Sequence, residues 1–232
     1  AIYSMKKSSL DRRRFLTTGA AASGVWTAAP RILRAQGKVS ANDKLNIGVI
    51  GSSGQGGFSI GQLKDIANIA ALCDVDQNRL APVARQFPSA RTYKDFRKLV
   101  EQQDLDAVVV ATPDHTHAVA SVAAMRADKH VYCEKPLCRT ISEVRHVTEL
   151  ARETNRVTQM GTQIHAGSNY RRVVELVRSG AIGEVSEVHV WVGSSTGGRK
   201  RYTRFPATVP KNLDWNLWLG PIPEQPYHPD WT

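Results

Sequence analysis

Leu45-Asn46-Ile47-Gly48-Val49-Ile50-Gly51-Ser52-Ser53-Gly54-Gln55-Gly56-Gly57 is the stretch on which the fold turns. Its first half is an apolar run behind the turn-prone Ser40-Ala41-Asn42-Asp43 and reads as a buried strand. Its second half is glycine-rich and opens a helix. A strand feeding a glycine loop and then a helix aims backbone N–H groups and the positive end of a helix dipole at one point, where a pyrophosphate is received. Read as G-x-G-x-x-G, the match is Gly51, Ser53 and Gly56. Ser53 stands where a side chain most hinders close approach, so the glycines alone are a weak fingerprint.

Working outward, apolar runs recur at residues 69–73, 107–111, 130–133 and 157–160, and helical patterns separate them. Residues 77–87 stop before Pro88, residues 95–102 are amphipathic, and residues 115–127 are alanine-rich. Thr140-Ile141-Ser142-Glu143 makes a capping box for a helix expected to bury Ile141, Val144, Val147 and Ala151. Alternating strand and helix implies parallel strands joined by right-handed crossovers, hence an α/β doubly wound sheet over residues 38–160. A second unit is expected at residues 161–232. Tyr170, Val173, Val174 and Val177 lie at helical spacing before Gly180, and residues 184–192 alternate as a strand. The remainder is turn-rich, with six prolines and three tryptophans from residue 193 onward, too little for a closed sheet. The second domain is therefore expected to be an incomplete α+β unit.

Asp74 ends the second strand 23 residues after Gly51, the distance at which a carboxylate accepts hydrogen bonds from an adenosine ribose. A helix-capping aspartate is the alternative. A carboxylate there repels a 2′-phosphate, so NAD is expected over NADP. In a sheet ordered 3-2-1-4-5-6 the loops after strands one and four flank the ligand-binding switch point. The second of these loops is Thr112-Pro113-Asp114-His115-Thr116-His117. Its two histidines could cap the next helix or ligate a metal, but no third ligand accompanies them and no metal is expected. After strand five comes Glu134-Lys135-Pro136. A partly dehydrated lysine there could serve as general acid/base, while a surface lysine at a turn is the alternative, and spacing does not choose.

The formal charge of +10 would point to nucleic acid or an anionic membrane if it were spread over the fold. Residues 1–37 instead hold seven basic groups against the single acid Asp11, a net +6 that leaves +4 elsewhere. No basic stripe interleaved with aromatics appears, and no nucleic-acid partner is expected. Arg12-Arg13-Arg14-Phe15-Leu16, followed by a short Ala/Gly/Thr-rich stretch too short for a stable membrane span, resembles a twin-arginine export signal. The twin-arginine machinery is accordingly an expected partner and the periplasm an expected location. That route moves folded proteins, which allows a cofactor to be loaded before export. Three cysteines without metal or redox spacing read as structural thiols.

Taken in order, residues 47–51, Asp74, Ala111-Thr112-Pro113-Asp114-His115-Thr116-His117 and Glu134-Lys135-Pro136 resemble the Gfo/Idh/MocA oxidoreductases over about residues 44–192. The resemblance implies a Rossmann domain followed by a largely antiparallel sheet domain, with sugars, polyols or their derivatives as substrates. It implies a cofactor set of Gly51, Ser52, Ser53, Gly54, Gln55, Gly56, Asp74, Thr112, Pro113, His115, His117, Glu134 and Lys135. Lys135 is the implied catalytic group, beside nicotinamide and substrate, and Gln163 and His165 are substrate candidates where the chain crosses between domains. A homo-oligomer is compatible with the full-length form. The family's second domain carries an Asp-x-x-x-His type of segment that nothing after Val192 matches; His228 and Asp230 stand in the wrong order and context. The chain is therefore expected to stop early. Hydride transfer between NAD(H) and a carbohydrate-like alcohol or ketone is the leading expectation. An NAD-dependent glycosidase working by transient oxidation and elimination, and a non-catalytic nucleotide-binding chain, are the alternatives.

Overall fold

The computed structural model describes residues 44–191, 193 and 207–231. The export signal expected over residues 1–37, residues 38–43 of the first expected domain, and Val192 lie outside them. In chain order the elements are β1 (Asn46–Ile50), α1 (Gln55–Leu63), β2 (Asn68–Cys73), α2 (Gln77–Gln86), β3 (Arg91–Tyr93), α3 (Phe96–Val100) and β4 (Ala107–Val110). They continue as α4 (His117–Arg126), β5 (His130–Glu134), α5 (Ile141–Glu153), β6 (Thr158–Gly161), α6 (Ser168–Arg178) and α7 (Trp215–Leu219).

The six strands form one sheet in the order β3-β2-β1-β4-β5-β6, every pair parallel. This is the doubly wound Rossmann arrangement read from the sequence. The period-2 pleat sends alternate residues to opposite faces, and both faces are covered near the centre. Ile47, Val49, Leu72 and Val109 pack with Ile60 of α1 and Leu80 of α2. Ile50, Cys73, Val108, Val110 and Cys133 pack on the other side with Leu99 of α3, Ala120, Ala124 and Met125 of α4, and Val147 and Leu150 of α5. Gly48 is set by that second layer, because a Cβ there would stand 2.8 Å from the Leu99 side chain.

Thr140 and Glu143 form both bonds of the expected capping box at the start of α5. Val147 and Leu150 are buried below it, but Ile141 is 76% exposed. It occupies the first helical position. The edge strand β3 had no counterpart among the apolar runs, since Arg91-Thr92-Tyr93 is three residues long and none is buried. The helix expected near residues 170–180 is α6, with Gly180 at φ +71° behind it. The strand expected at residues 184–192 is not formed over its described part, residues 184–191. A strand exists through the hydrogen bonds of a neighbour, and none pairs with this segment among the described residues. No described helix is long and apolar enough to cross a membrane.

Residues 207–231 return to the sheet. Leu213 bridges Asp76 in antiparallel fashion, Gln77 N donates to Asn212 O at 2.9 Å, and Asp214 N donates to Val75 O at 2.9 Å. Leu213, Leu219 and Tyr227 of this segment are buried.

Candidate cofactor site

Parallel strands place every strand-to-helix loop at one edge of the sheet, so the loops after β1, β2, β4 and β5 converge. They line a cleft of about 380 Å³ that includes Gly51, Ser53, Gly54, Gln55, Asp74, Thr112, Pro113, His117, Glu134 and Lys135. Ten of the expected cofactor residues thus share one cavity. The turn after β1 is built for close approach. Gly51 sits at φ +84°, and a Cβ there would lie 2.4 Å from the Ala111 carbonyl oxygen. A Cβ on Gly56 would lie 1.7 Å from the Gly51 oxygen. Glycine is required at both places.

Ser52 is fully buried rather than part of the lining, and its N–H and Oγ both donate to Asp74 Oδ2, at 2.9 and 3.1 Å. Asp74 Oδ1 accepts from Asp76 N at 3.0 Å. Asp74 therefore fixes the glycine turn and still has acceptor capacity toward the cleft, since each carboxylate oxygen takes about two bonds. Ser53 Oγ accepts from Arg79 Nη1 at 3.2 Å. Ser53 is thereby drawn toward α2, with Gly54 beside it in open space at φ +53°.

His117 is buried with its ring nitrogens 2.7 Å from two carbonyl oxygens, Nδ1 facing Pro136 and Nε2 facing Thr112. It ties the loop after β4 to the loop after β5, whose Lys135–Pro136 peptide is cis. His115 turns out of the cleft: its Nε2 lies 2.7 Å from the Trp218 carbonyl oxygen and its ring tilts against Trp218 at 4.8 Å. Gln163 Nε2 donates to Glu134 Oε1 at 2.7 Å. His165 lies against Tyr170 at 5.3 Å, and with Gln163 it borders a second, apolar depression lined by Phe58, Leu63, Val109 and Met160. Tyr132 in that wall has its pKa raised by burial and by the nearby Glu134 charge. Among the described residues, no cluster of three or more His, Cys, Asp or Glu side chains could hold a metal.

Two residues of the lining carry a buried oxygen without a partner within the protein, Thr112 Oγ1 and Glu134 Oε2, the latter on the side of Gly161. Buried polar atoms are normally paired, so these two stand out among the described residues of the lining. The glycine cradle, with Asp74 and Thr112 beside it, fits the phosphate and ribose groups of a dinucleotide. Sequence reasoning missed Arg79, Lys94, Phe96, Leu213, Leu217, Trp218 and Trp231, which also line the cleft. The density of tryptophans after residue 214 was the available signal.

Residues 45–162 match the Gfo/Idh/MocA oxidoreductases, described as having an NAD-binding Rossmann fold. The chain belongs to that family. It is 32% identical over 142 residues to a myo-inositol 2-dehydrogenase of Thermotoga maritima, a match covering 60% of this chain and 42% of that one. It is 35% identical over 149 residues to an inositol 2-dehydrogenase of Saccharopolyspora erythraea, covering 62% and 44%. The crystal structure of scyllo-inositol dehydrogenase from Lactobacillus casei with NAD(H) and scyllo-inositol superimposes with a TM-score of 0.58 at 26% identity, over 61% of this chain and 43% of that one. The match thus takes in less than half the length of these relatives.

Proposed function

We propose that this Gfo/Idh/MocA chain binds NAD(H) in the cleft and serves hydride transfer to or from a cyclic polyol or related carbohydrate, with Lys135 as the proton-transfer group. The observation that carries this reading is the placement of Glu134 and Lys135 in the same cleft as the glycine turn after β1 and Asp74. When bound, nicotinamide supplies the hydride acceptor or donor.

The chain's own groups do the remaining work. Backbone N–H groups at the start of α1 receive the pyrophosphate. Asp74, already held by Ser52, accepts from the adenosine ribose and disfavours a 2′-phosphate, so NAD is the cofactor rather than NADP. Thr112 and Glu134, which line the cleft beyond the glycine turn, take polar groups of the nicotinamide half. Gln163 orients Glu134 from behind. Lys135 is exposed at the mouth, where its ammonium can donate to, or its amine accept from, the substrate oxygen whose carbon gains or loses hydride. The inositol named in the relatives motivates the choice of cyclic polyol. Residues 1–37 are proposed to export the folded, loaded protein, on the strength of Arg12-Arg13 and the basic leader.

Titration of the protein with NADH, followed by nicotinamide fluorescence, should give saturable binding that Gly56→Ala abolishes. Lys135→Met should retain binding but lose myo-inositol-dependent NADH formation. Failure of the parent chain to bind NADH would overturn the reading, and turnover surviving in Lys135→Met would remove the lysine's role.

A further inference from the structure

Residues 212–231 cross the cleft in a way the Rossmann motif does not call for. At one end Leu213 bridges Asp76, Asn212 O and Nδ2 bond Gln77 N and Asp76 Oδ1, and Asp214 N bonds Val75 O. These anchors are on the loop after β2 and the first residue of α2. At the other end Trp218 O meets His115 Nε2, and Gly220 is packed so closely on Thr116 that a Cβ would lie 2.9 Å from its methyl. Those anchors are on the loop after β4. Strands β2 and β4 flank β1 in the sheet, so a segment tied to both loops spans the glycine turn that lies between them.

The face turned to the cleft is apolar and aromatic, comprising Leu213, Leu217, Trp218 and Trp231. Trp215 braces it from behind. Its ring stacks on Trp218 at 4.7 Å and on Trp231 at 5.9 Å, and its Nε1 donates to Gln225 O at 2.9 Å. Asp74, Asp76, Arg79 and Lys94, which follow β2 and β3 and line the same cleft, stand on the side where the ribose carboxylate Asp74 lies. A flat, weakly polar ring system next to a ribose is the chemistry of a purine base, and indole faces are a good surface for one.

We propose that residues 212–231 form a strap over the adenosine half of the bound dinucleotide, with Trp218 and Trp231 contacting the adenine and limiting cofactor release. The proposal rests on the NAD(H) reading above. His115 is a positioning residue of this strap, holding Trp218 through its carbonyl.

The test uses the full chain and two fragments of the cofactor, ADP-ribose and nicotinamide mononucleotide. ADP-ribose should protect backbone amides of residues 212–231 from hydrogen exchange, while nicotinamide mononucleotide should not. NADH release, measured by stopped flow against excess ADP-ribose, should accelerate about tenfold in Trp218→Leu and Trp231→Leu, the scale of one lost base–aromatic stack. His115→Gln should accelerate it less. If NADH binds but ADP-ribose gives no protection, or both tryptophan variants release NADH at the parent rate, the strap is refuted and the cofactor reading stands. If the parent chain binds neither NADH nor ADP-ribose, both fall. The exchange measurement needs no variant and holds even if the tryptophan substitutions unfold the segment.

Discussion

Helices α5 and α6 are written in the same code and have different fates. Both are amphipathic, both carry apolar residues at helical spacing, and they follow each other along the chain, separated only by β6 and a short turn. In α5, Val147 and Leu150 are buried against α4 and the sheet. In α6, Tyr170, Val173, Val174, Leu176 and Val177 are each 40–49% exposed and no residue is buried. Residues 184–191 repeat the contrast, with Val190 and Trp191 more than 80% exposed and no strand pairing among the described residues. Periodicity specifies the element and which side is apolar. What covers that side is a property of other parts of a structure, and among the described residues nothing covers α6.

The largest expected effect follows directly. Leu150→Asp places an unpaired carboxylate in the layer beneath β4 and β5, and should cost roughly 4 kcal/mol or more and unfold the domain. Val174→Asp on α6 should change the stability of this chain by less than about 0.5 kcal/mol. Urea unfolding of the two variants measures both. Equal destabilisation would mean that α6 is covered after all, and the comparison would break.

The same contrast explains what could be read in advance. Strands β1, β2, β4 and β5 are buried on both faces, which forces continuous apolar runs, and such runs are visible without knowing any contact. Asp74 was legible because βα geometry fixes its distance from Gly51. By contrast, β3 is an edge strand whose Arg91-Thr92-Tyr93 carries no burial signal. Ile141 continues the apolar pattern of α5 but overhangs the layer, so pattern and burial part company there. The docking of Trp218 and the turning of His115 depend on a contact across 103 positions, which no local window contains. For the same reason Ser53, which reads as damage to the glycine pattern, finds its role only once Arg79 is placed beside it.

A sharper version of the contrast lies within α1. Gly56 faces the cradle, where a Cβ would overlap the Gly51 carbonyl, whereas Gly61 has nothing within 4 Å of its Cβ position. Gly56→Ala should destabilise by about 2 kcal/mol or more, because backbone must move to relieve the contact. Gly61→Ala should stabilise by about 0.5–1 kcal/mol through helix propensity and the unfolded-state entropy it removes. Thermal unfolding of the pair should therefore shift in opposite directions. A common direction would show that the turn after β1 relaxes at little cost.

The smallest effects concern charge. Asp95 caps α3 by accepting from Arg97 N, and the Arg97 guanidinium grips both carboxylate oxygens, with its closest contact at 2.7 Å. That side-chain hydrogen bond holds the Asp95 carboxyl below its usual range, against the opposing effect of partial burial. A depressed folded pKa stabilises above the unfolded value of about 3.8 and is lost as pH falls through the lower folded value. Acid should therefore erode this contribution below about pH 4, and Asp95→Ala should cost about 1 kcal/mol at neutral pH as a lost cap. Asp95→Asn retains an acceptor for Arg97 N and should lose less, while flattening the acid limb of the stability curve. The pair Glu187–His189 has a similar separation of 2.9 Å but lies in the unpaired segment, with both side chains more than 60% exposed. Glu187→Gln should leave the unfolding midpoint unchanged at any pH from 4 to 8, because an exposed pair on an unsupported backbone gains little over solvation. A measurable loss there would mean that residues 184–191 are held by more than their own sequence.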